Sequence, residues 1–170
     1  MAVYVALLRG INVGGRGILS MKDLIAMCGQ LRFANARTYI QSGNVIFECE
    51  LKEEAVRQQL EVALKAKMGK RIAVMIRTPA ELCATLEANP FQDKEPNKVA
   101  VFFLADKPPV AQLRGLTGPA GEQVRAGKRE IYVYYPDGMG RSKLKLPVNE
   151  TDATVRNINT VGKLAALSAG

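Results

Sequence analysis

The sequence predicts an α+β protein built from two subdomains. Apolar runs of strand length alternate with segments of helical periodicity, and turn residues separate them. The 170 residues suffice for two small halves packed together, and the apolar share of 48% is enough for a sizeable core. The first subdomain is predicted over residues 1–78 and the second over residues 79–170.

The first subdomain begins with a strand followed by a short helix. Residues 2–9 contain two alternating sets of side chains that are both apolar, so both faces of this strand should be covered. Ser20, followed three positions later by Asp23, predicts the N-cap of a short amphipathic helix that ends near Gly29.

The remainder of the first subdomain predicts a hairpin, a helix and a strand. Residues 36–47 form two strands around the turn Ser42-Gly43-Asn44. Residues 53–68 show helical periodicity and stop at Gly69, and residues 71–76 are strand-like. The resulting β-α-β-β-α-β order is the ferredoxin-like arrangement.

The second subdomain opens with a strong helix signal. Thr78-Pro79-Ala80-Glu81 combines a capping box with proline at the first helical position, which predicts a helix over residues 79–88. A buried strand follows at residues 99–105, and residues 122–126 pair with residues 130–135 as a hairpin.

Shorter elements complete the second subdomain. Residues 109–116 favour a short helix, Pro136-Asp137-Gly138 is a tight turn, and residues 159–168 form the last helix. We therefore expect the second half to be a looser α+β variant of the first, without a readable sequence repeat.

Composition excludes several kinds of chemistry. The chain has no histidine, so Ser-His and Cys-His dyads and histidine-ligated zinc are excluded. The net charge of +8 favours an anionic partner. The three widely spaced cysteines, Cys28, Cys49 and Cys83, indicate buried thiols in a reducing cytoplasm. No membrane span, secretory signal or metal site is readable.

The loop from Arg9 to Gly17 is the first candidate site. Its four glycines and two arginines suit an anion, and Arg9, Asn12, Gly14 and Gly15 are the candidate ligand-binding residues. The glycine spacing matches neither a P-loop nor a dinucleotide fingerprint. The alternative is a flexible connection with solvated arginines.

The hairpin tip is the second candidate, through Gln41, Ser42 and Asn44. These residue types are also typical of any tight turn, and the tip taken alone favours that simpler interpretation.

Two further candidates lie in the second half. Gly138 and Gly140 lead into Arg141-Ser142-Lys143, a sequence that can open a short helix facing an anion or form a mobile basic turn. Arg156 and Asn157 lie at the approach to the last helix, where a positive charge needs an anionic partner. Asp152 or Asp137 would supply that partner in a structural salt bridge.

Four segments resemble a known bacterial family, domain of unknown function 1697. They are Leu7 to Gly15 (LLRGINVGG), Thr38 to Val45 (TYIQSGNV), Tyr135 to Gly138 with Ser142 to Leu144, and Thr154 to Val161 (TVRNINTV). The resemblance implies two ferredoxin-like subdomains in a cytoplasmic protein. It implies no substrate, cofactor or catalytic residue.

The leading functional hypothesis is a small phosphate- or carboxylate-bearing ligand bound in a basic cleft between the subdomains. Catalysis stays open; if it occurs, phosphate or acyl transfer is favoured, with Lys143 or Arg156 stabilising developing charge. The alternatives are a nucleic-acid-binding module and a protein-interaction scaffold. The first strand argues against RNA binding, because Tyr4 belongs to an apparently covered face and no RNA-binding signature is present.

Overall fold

The structure is a computed structural model that describes residues 1–10, 19–39 and 43–169. The chain forms two compact units: unit 1, Met1–Glu81 with Ala166–Gly170, and unit 2, Leu82–Ala165. The predicted boundary after residue 78 falls just before this division. Ala166–Gly170, predicted in the second subdomain, groups with unit 1.

Unit 1 has the predicted β-α-β-β-α-β order. Its strands pair antiparallel in the spatial order β2-β3-β1-β4. Its elements are β1 (Ala2–Leu8), α1 (Met21–Gln30), β2 (Ala34–Thr38), β3 (Asn44–Cys49), α2 (Glu53–Met68) and β4 (Val74–Arg77).

Strand β4 is shorter at its start than the sequence predicts. Residues 71–73 are apolar enough for a strand, but β1 ends at Leu8, which lies opposite Val74. Just beyond β1 the Arg9 amide still donates to the Ala73 carbonyl at 3.0 Å, but the regular ladder begins at Val74. Pairing between strands, rather than apolar character, sets this boundary.

Both helix signals of unit 1 are confirmed by local contacts. The Ser20 hydroxyl accepts a hydrogen bond from the Asp23 amide at 2.9 Å, which satisfies a donor at the start of α1. Gly69 ends α2 in the left-handed conformation, with φ of 75°.

The core of unit 1 lies between one face of the sheet and the two helices. Tyr4, Ala6 and Leu8 of β1 pack with side chains of α1 and α2, among them Leu24 and Leu60. Val5 and Leu7, on the opposite face of β1, are also fully buried. Both faces of β1 are covered, as predicted.

Unit 2 contains a second antiparallel sheet, in the order β6-β7-β5-β8. Helix α3 starts at the end of unit 1 with reciprocal hydrogen bonds between Thr78 and Glu81, which confirms the capping box. The elements are α3 (Pro79–Glu87), β5 (Val99–Phe103), α4 (Val110–Leu113), β6 (Gln123–Ala126), β7 (Glu130–Tyr134), β8 (Thr154–Asn157) and α5 (Ile158–Ala169).

Strand β8 is a correction to the sequence prediction. Residues 154–157 were expected only to approach the last helix. They pair with β5 instead, with Arg156 opposite Val101 and Thr154 opposite Phe103. This pairing joins residues far apart in sequence, so a four-residue polar segment gives no local sign of it.

One face of the second sheet, the face that carries Phe102 and Val133, is covered mainly by chain without regular secondary structure. Phe102 and Val133 belong to a core cluster completed by Leu113 of α4 and by Leu144 and Leu146 of the segment after β7. One helical turn and an extended segment thus provide the apolar cover that two full helices provide in unit 1.

Candidate functional site

The first two candidate segments leave the unit 1 sheet from neighbouring positions. The Leu8 amide donates to the Gly43 carbonyl at 2.8 Å, and Leu7 lies opposite Asn44. The Arg9 amide donates to the Ala73 carbonyl at 3.0 Å. The described residues that flank the glycine-rich loop and the hairpin tip therefore lie side by side at one end of the sheet.

Most members of these two segments lie outside the described residues. This applies to the predicted ligand-binding residues Asn12, Gly14, Gly15, Gln41 and Ser42, which stay predictions. Of the described members, Arg9 is half-buried at the end of β1.

Asn44 is fully buried and closes the hairpin. Its side-chain amide donates to the Tyr39 carbonyl at 3.0 Å, and the Tyr39 amide donates to the Asn44 carbonyl at 3.2 Å. These contacts are turn chemistry, which was the simpler interpretation of the tip.

The third segment does not open a helix at Arg141. A single 3₁₀ turn spans Met139–Arg141, and Ser142 follows it with extended backbone (φ −76°, ψ 141°). Directly after this 3₁₀ turn the chain has no regular secondary structure, and Leu144 and Leu146 join the core cluster of the unit. The predicted helix N-terminus facing an anion is therefore absent from this segment.

Ser142 instead anchors the segment to the start of β6. Its hydroxyl donates to Glu122 Oε2 at 2.5 Å and accepts from the Leu144 amide at 3.1 Å. Glu122 Oε1 accepts from the Ala120 amide at 2.8 Å. The Ser142 hydrogen bond is the main reason that the pKa of Glu122 is lowered. We infer that the Ser142 hydroxyl has a structural role.

A side chain at position 118, beside this anchor, would clash with the Glu122 carboxylate unless that carboxylate moved. A Cβ atom there would lie 2.3 Å from Glu122 Oε1 and 2.6 Å from its Cδ atom. The buried carboxylate therefore occupies the space that a side chain at Gly118 would need. Sequence reasoning treated Glu122 only as the first residue of a hairpin and missed this role.

Three cations line the outer side of the anchored segment. Arg141, Lys143 and Lys145 are exposed, whereas Ser142 and Leu144 between them are half-buried and Leu146 is buried. We call Arg141, Lys143 and Lys145 the cation row. Lys145 was missed as a site residue, although the two-residue alternation in Arg-Ser-Lys-Leu-Lys-Leu was a readable signal.

Arg156 and Asn157 have other surroundings. Arg156 is buried on β8, its Nη1 donates to the Val155 carbonyl at 2.8 Å, and burial lowers its pKa to about 10. The guanidinium therefore stays charged at neutral pH. The Asn157 side-chain oxygen accepts from the Asn159 amide at 2.7 Å, so Asn157 caps the start of α5.

The sheet separates Arg156 from the Ser142 anchor. Glu122 precedes β6 at one edge of the sheet, while Arg156 lies on β8 at the other edge. Three strand spacings of about 4.8 Å place roughly 14 Å between these two edges. The two candidate segments of unit 2 thus do not converge on one point.

Thiols and carboxylates provide no further reactive cluster in the described part of the chain. Burial raises the pKa of Cys28 to about 12, and Cys49 is buried as well, whereas Cys83 is exposed. Residues 1–10, 19–39 and 43–169 contain no group of three or more side chains able to hold a metal ion. None of the helices in these ranges has both the length and the apolar character of a membrane span.

The fold and surface define a two-unit α+β protein with a row of cations on unit 2. The chain belongs to the family described as "Protein of unknown function (DUF1697)", whose model matches residues 1–132. The family predicted from the sequence is thereby confirmed. Two of the four segments that carried the resemblance lie beyond the matched residues.

Among solved structures, the chain is similar to that of a conserved bacterial protein from Streptococcus pneumoniae. The two share 21% sequence identity with a TM-score of 0.79, and the match covers 98% of each chain. At this identity the likeness shows the fold alone. A comparison with curated proteins finds no match.

Proposed function

We propose that this protein binds an anion with several phosphate or carboxylate groups, through the cation row of unit 2. The alternation of outward cations with inward anchoring residues supports the proposal. Residues 138–149 contain the three cations of the row and no carboxylate. The segment itself therefore carries three positive charges, with Asp137 and Glu150 at its two ends and the Glu122 carboxylate hydrogen-bonded to Ser142.

The anchoring of the segment favours binding over a merely solvated basic turn. Ser142 is held by Glu122, and Leu144 and Leu146 join the core cluster. Because these inward residues fix the backbone, less conformational entropy is lost when an anion orders the outward side chains. The row is in this sense organised before a ligand arrives.

The spacing of the row favours a ligand with more than one charge. Arg141 ends a 3₁₀ turn and Ser142 after it is extended. Alternate residues of extended chain lie about 7 Å apart, so a single small anion would reach only part of the row. A polyphosphate or a polycarboxylate can engage all three cations together. The sequence-based hypothesis was a small phosphate- or carboxylate-bearing ligand in a cleft between the subdomains; our proposal is a multiply charged anion on the cation row.

The linear row also supports nucleic acid as a second candidate, through its phosphate backbone. The described aromatic side chains weigh against base stacking. Tyr4 is buried and donates its hydroxyl to the Leu51 carbonyl, and Phe47 is buried against Phe33. In unit 2, Tyr132 is buried, and Tyr134 is half-buried between Phe91 and Lys94. Tyr39 is half-buried as well, so phosphate contacts would have to provide most of the affinity.

The test is a titration series with phosphate, pyrophosphate, tripolyphosphate and a single-stranded RNA, measured by calorimetry. The variant carries Arg141→Gln, Lys143→Gln and Lys145→Gln. The matched control carries Lys22→Gln, Lys65→Gln and Lys70→Gln, which removes the same charge from exposed positions on unit 1. We expect affinity to rise with phosphate number, to fall at least tenfold in the row variant and to persist in the control.

Two outcomes would contradict the proposal: no binding by any member of the series, or equal loss in both triple variants. The latter would mean that net charge alone attracts the anions. If RNA binds best, the salt dependence of its binding constant gives the number of phosphate contacts. Three phosphate contacts predict a slope of about −2 in log K against log salt, because each contributes about −0.7 for a single strand.

A further inference from the structure

We propose that unit 1 holds a second and independent site, a small pocket at the bulge of β2 that takes a zwitterionic ligand such as a small α-amino acid. The pocket has a volume of about 90 Å³. Its lining includes Val3, Asn35, Arg37, Ile46, Glu48 and Ser168. The proposal does not depend on the cation row.

An irregularity in the sheet builds the pocket. The pairing of β2 with β3 shifts register between Ala34 and Arg37, and Asn35 has a positive φ of 54°. A bulge of this kind turns a side chain away from its regular direction. Here the Asn35 amide Nδ2 donates to Glu48 Oε2 at 2.5 Å, so the bulge places an amide against a carboxylate.

Opposite charges flank the pocket. Arg37 lies opposite Ile46, and Glu48 is two residues further along β3 on the same face. Such diagonal neighbours have backbones about 7–8 Å apart, which leaves room for a small ligand between the two charged groups. The pocket therefore has one cationic and one anionic side.

Both charged groups are held in place while keeping capacity for further bonds. Arg37 Nη2 donates to the Leu167 carbonyl in the last turn of α5, and a guanidinium has five N–H donors in total. Glu48 accepts the Asn35 amide through one oxygen, and an ionised carboxylate has about four acceptor sites. Each group can thus receive a ligand without losing the contact that orients it.

The chemistry fits a ligand with a carboxylate and an ammonium close together. A guanidinium binds a carboxylate through paired, charge-assisted hydrogen bonds, and Glu48 complements an ammonium. Val3 and Ile46 provide an apolar wall for the carbon atoms. The small volume of the pocket limits the ligand to a few heavy atoms.

The experiment is a titration of the isotope-labelled wild-type protein followed by NMR. The probes are glycine and L-alanine, with ethylamine and propionate as ligands that carry only one of the two charges. We expect saturable shifts of the Asn35 side-chain amide and of the Val3 and Ile46 methyl groups with the amino acids, and much weaker shifts with the single-charge probes.

Variants then assign the two ends of the ligand. Glu48→Gln and Arg37→Gln should each weaken amino-acid binding at least tenfold. The matched controls Glu50→Gln and Arg32→Gln change exposed neighbours outside the pocket lining and should bind like the wild type. Because the wild-type titration needs no variant, a folding defect in Arg37→Gln leaves the test intact.

Three outcomes would each overturn the proposal. The Asn35, Val3 and Ile46 groups could show no saturable shifts, saturation could occur only elsewhere in the chain, or the amino acids and the single-charge probes could give equal responses. The first of these would leave the pocket as a water-filled irregularity of β2. A loss of tripolyphosphate binding in the row variant would leave this result unchanged, so the two sites fail or stand separately.

Discussion

Between their strands, unit 1 uses helices of ten and sixteen residues, whereas unit 2 uses a four-residue helix and an irregular segment. The strand orders nevertheless correspond, β2-β3-β1-β4 in unit 1 and β6-β7-β5-β8 in unit 2. The comparison teaches that this sheet order requires apolar cover on the core face and does not require that the cover be helical.

A buried arginine occupies corresponding positions in the two sheets. Arg77 lies on β4 opposite Val5, and Arg156 lies on β8 opposite Val101. In each case Nη1 donates to the carbonyl of the preceding residue, at 2.9 Å and 2.8 Å. The correspondence extends from strand order to a shared side-chain arrangement, while the connecting segments have diverged.

The largest expected effect tests whether the helices that cover the sheet of unit 1 are more rigid than the irregular segment that covers the sheet of unit 2. Leu60→Ala removes a fully buried side chain of α2 and should cost about 2–5 kcal/mol of unfolding free energy, because the helix cannot collapse into the cavity. Leu146→Ala, in the irregular cover of unit 2, should cost about 2 kcal/mol or less. Urea denaturation measures the unfolding free energy of both variants. Equal losses of stability would show that the two kinds of cover do not differ in rigidity.

The next effect concerns the Ser142–Glu122 contact, which holds the irregular segment of unit 2 in place. Gly118→Ala places a methyl group on the Glu122 carboxylate and should cost about 1–3 kcal/mol through overpacking. Gly140→Ala is the matched control, because a Cβ there meets no atom within 4 Å, and it should stay within about 0.5 kcal/mol of the wild type. Thermal unfolding of both variants tests this expectation. If Gly118→Ala leaves the stability unchanged, the Glu122 carboxylate moves aside without cost.

The next effect compares the first helix between strands in each unit, α1 in unit 1 and α4 in unit 2. Ser20→Ala leaves an amide at the start of α1 without its side-chain acceptor and should cost about 1 kcal/mol, whereas Ser20→Asp should preserve stability. No side chain caps the start of α4, so unit 2 has no counterpart between its first two strands. Denaturant midpoints measure the difference. Equal losses in the Ala and Asp variants would show that the hydroxyl, and not capping, is needed.

The smallest effect is a pH dependence confined to the Ser142 anchor. The lowered pKa of Glu122 means that the folded state favours the ionised carboxylate, so this stabilisation is present above the unfolded pKa and is lost as pH falls through the folded pKa. Ser142→Ala should therefore be less stable than the wild type near neutrality, and the gap should narrow in acid. Unfolding midpoints measured from about pH 6 to about pH 3 test this.

Glu122→Gln is the second variant for that experiment. It removes the titrating group, so its stability relative to the wild type should also change across the acid range. If the stability difference between each variant and the wild type stays constant with pH, Glu122 does not titrate differently in the folded and unfolded states.

Local signals made most of unit 1 predictable. The capping pair at Ser20, the four-residue periodicity of α2 and the stop at Gly69 all act within one or two helical turns, so the sequence reveals them directly. The same holds for the capping box that starts α3. Propensity and local hydrogen bonding suffice for such elements.

The candidate site was harder to predict because its contacts are not local. Strand β8 exists through pairing with β5, more than fifty residues earlier, and the Ser142–Glu122 contact spans 20 residues. Arg141 and Lys143 are exposed cations, as their residue types suggest, but those types gave no sign that the neighbouring Ser142 hydroxyl binds the Glu122 carboxylate. A sequence reveals which groups are polar before it reveals which of them face each other.

The distribution of thiols has a practical consequence. Cys28 and Cys49 are buried and Cys83 is exposed on α3, so the native wild-type chain already behaves as a single-cysteine protein toward maleimide dyes. A fluorophore can therefore be attached at Cys83 of unit 2 without mutagenesis. Storage in air should likewise oxidise one position first and leave the interior thiols reduced for as long as the protein stays folded.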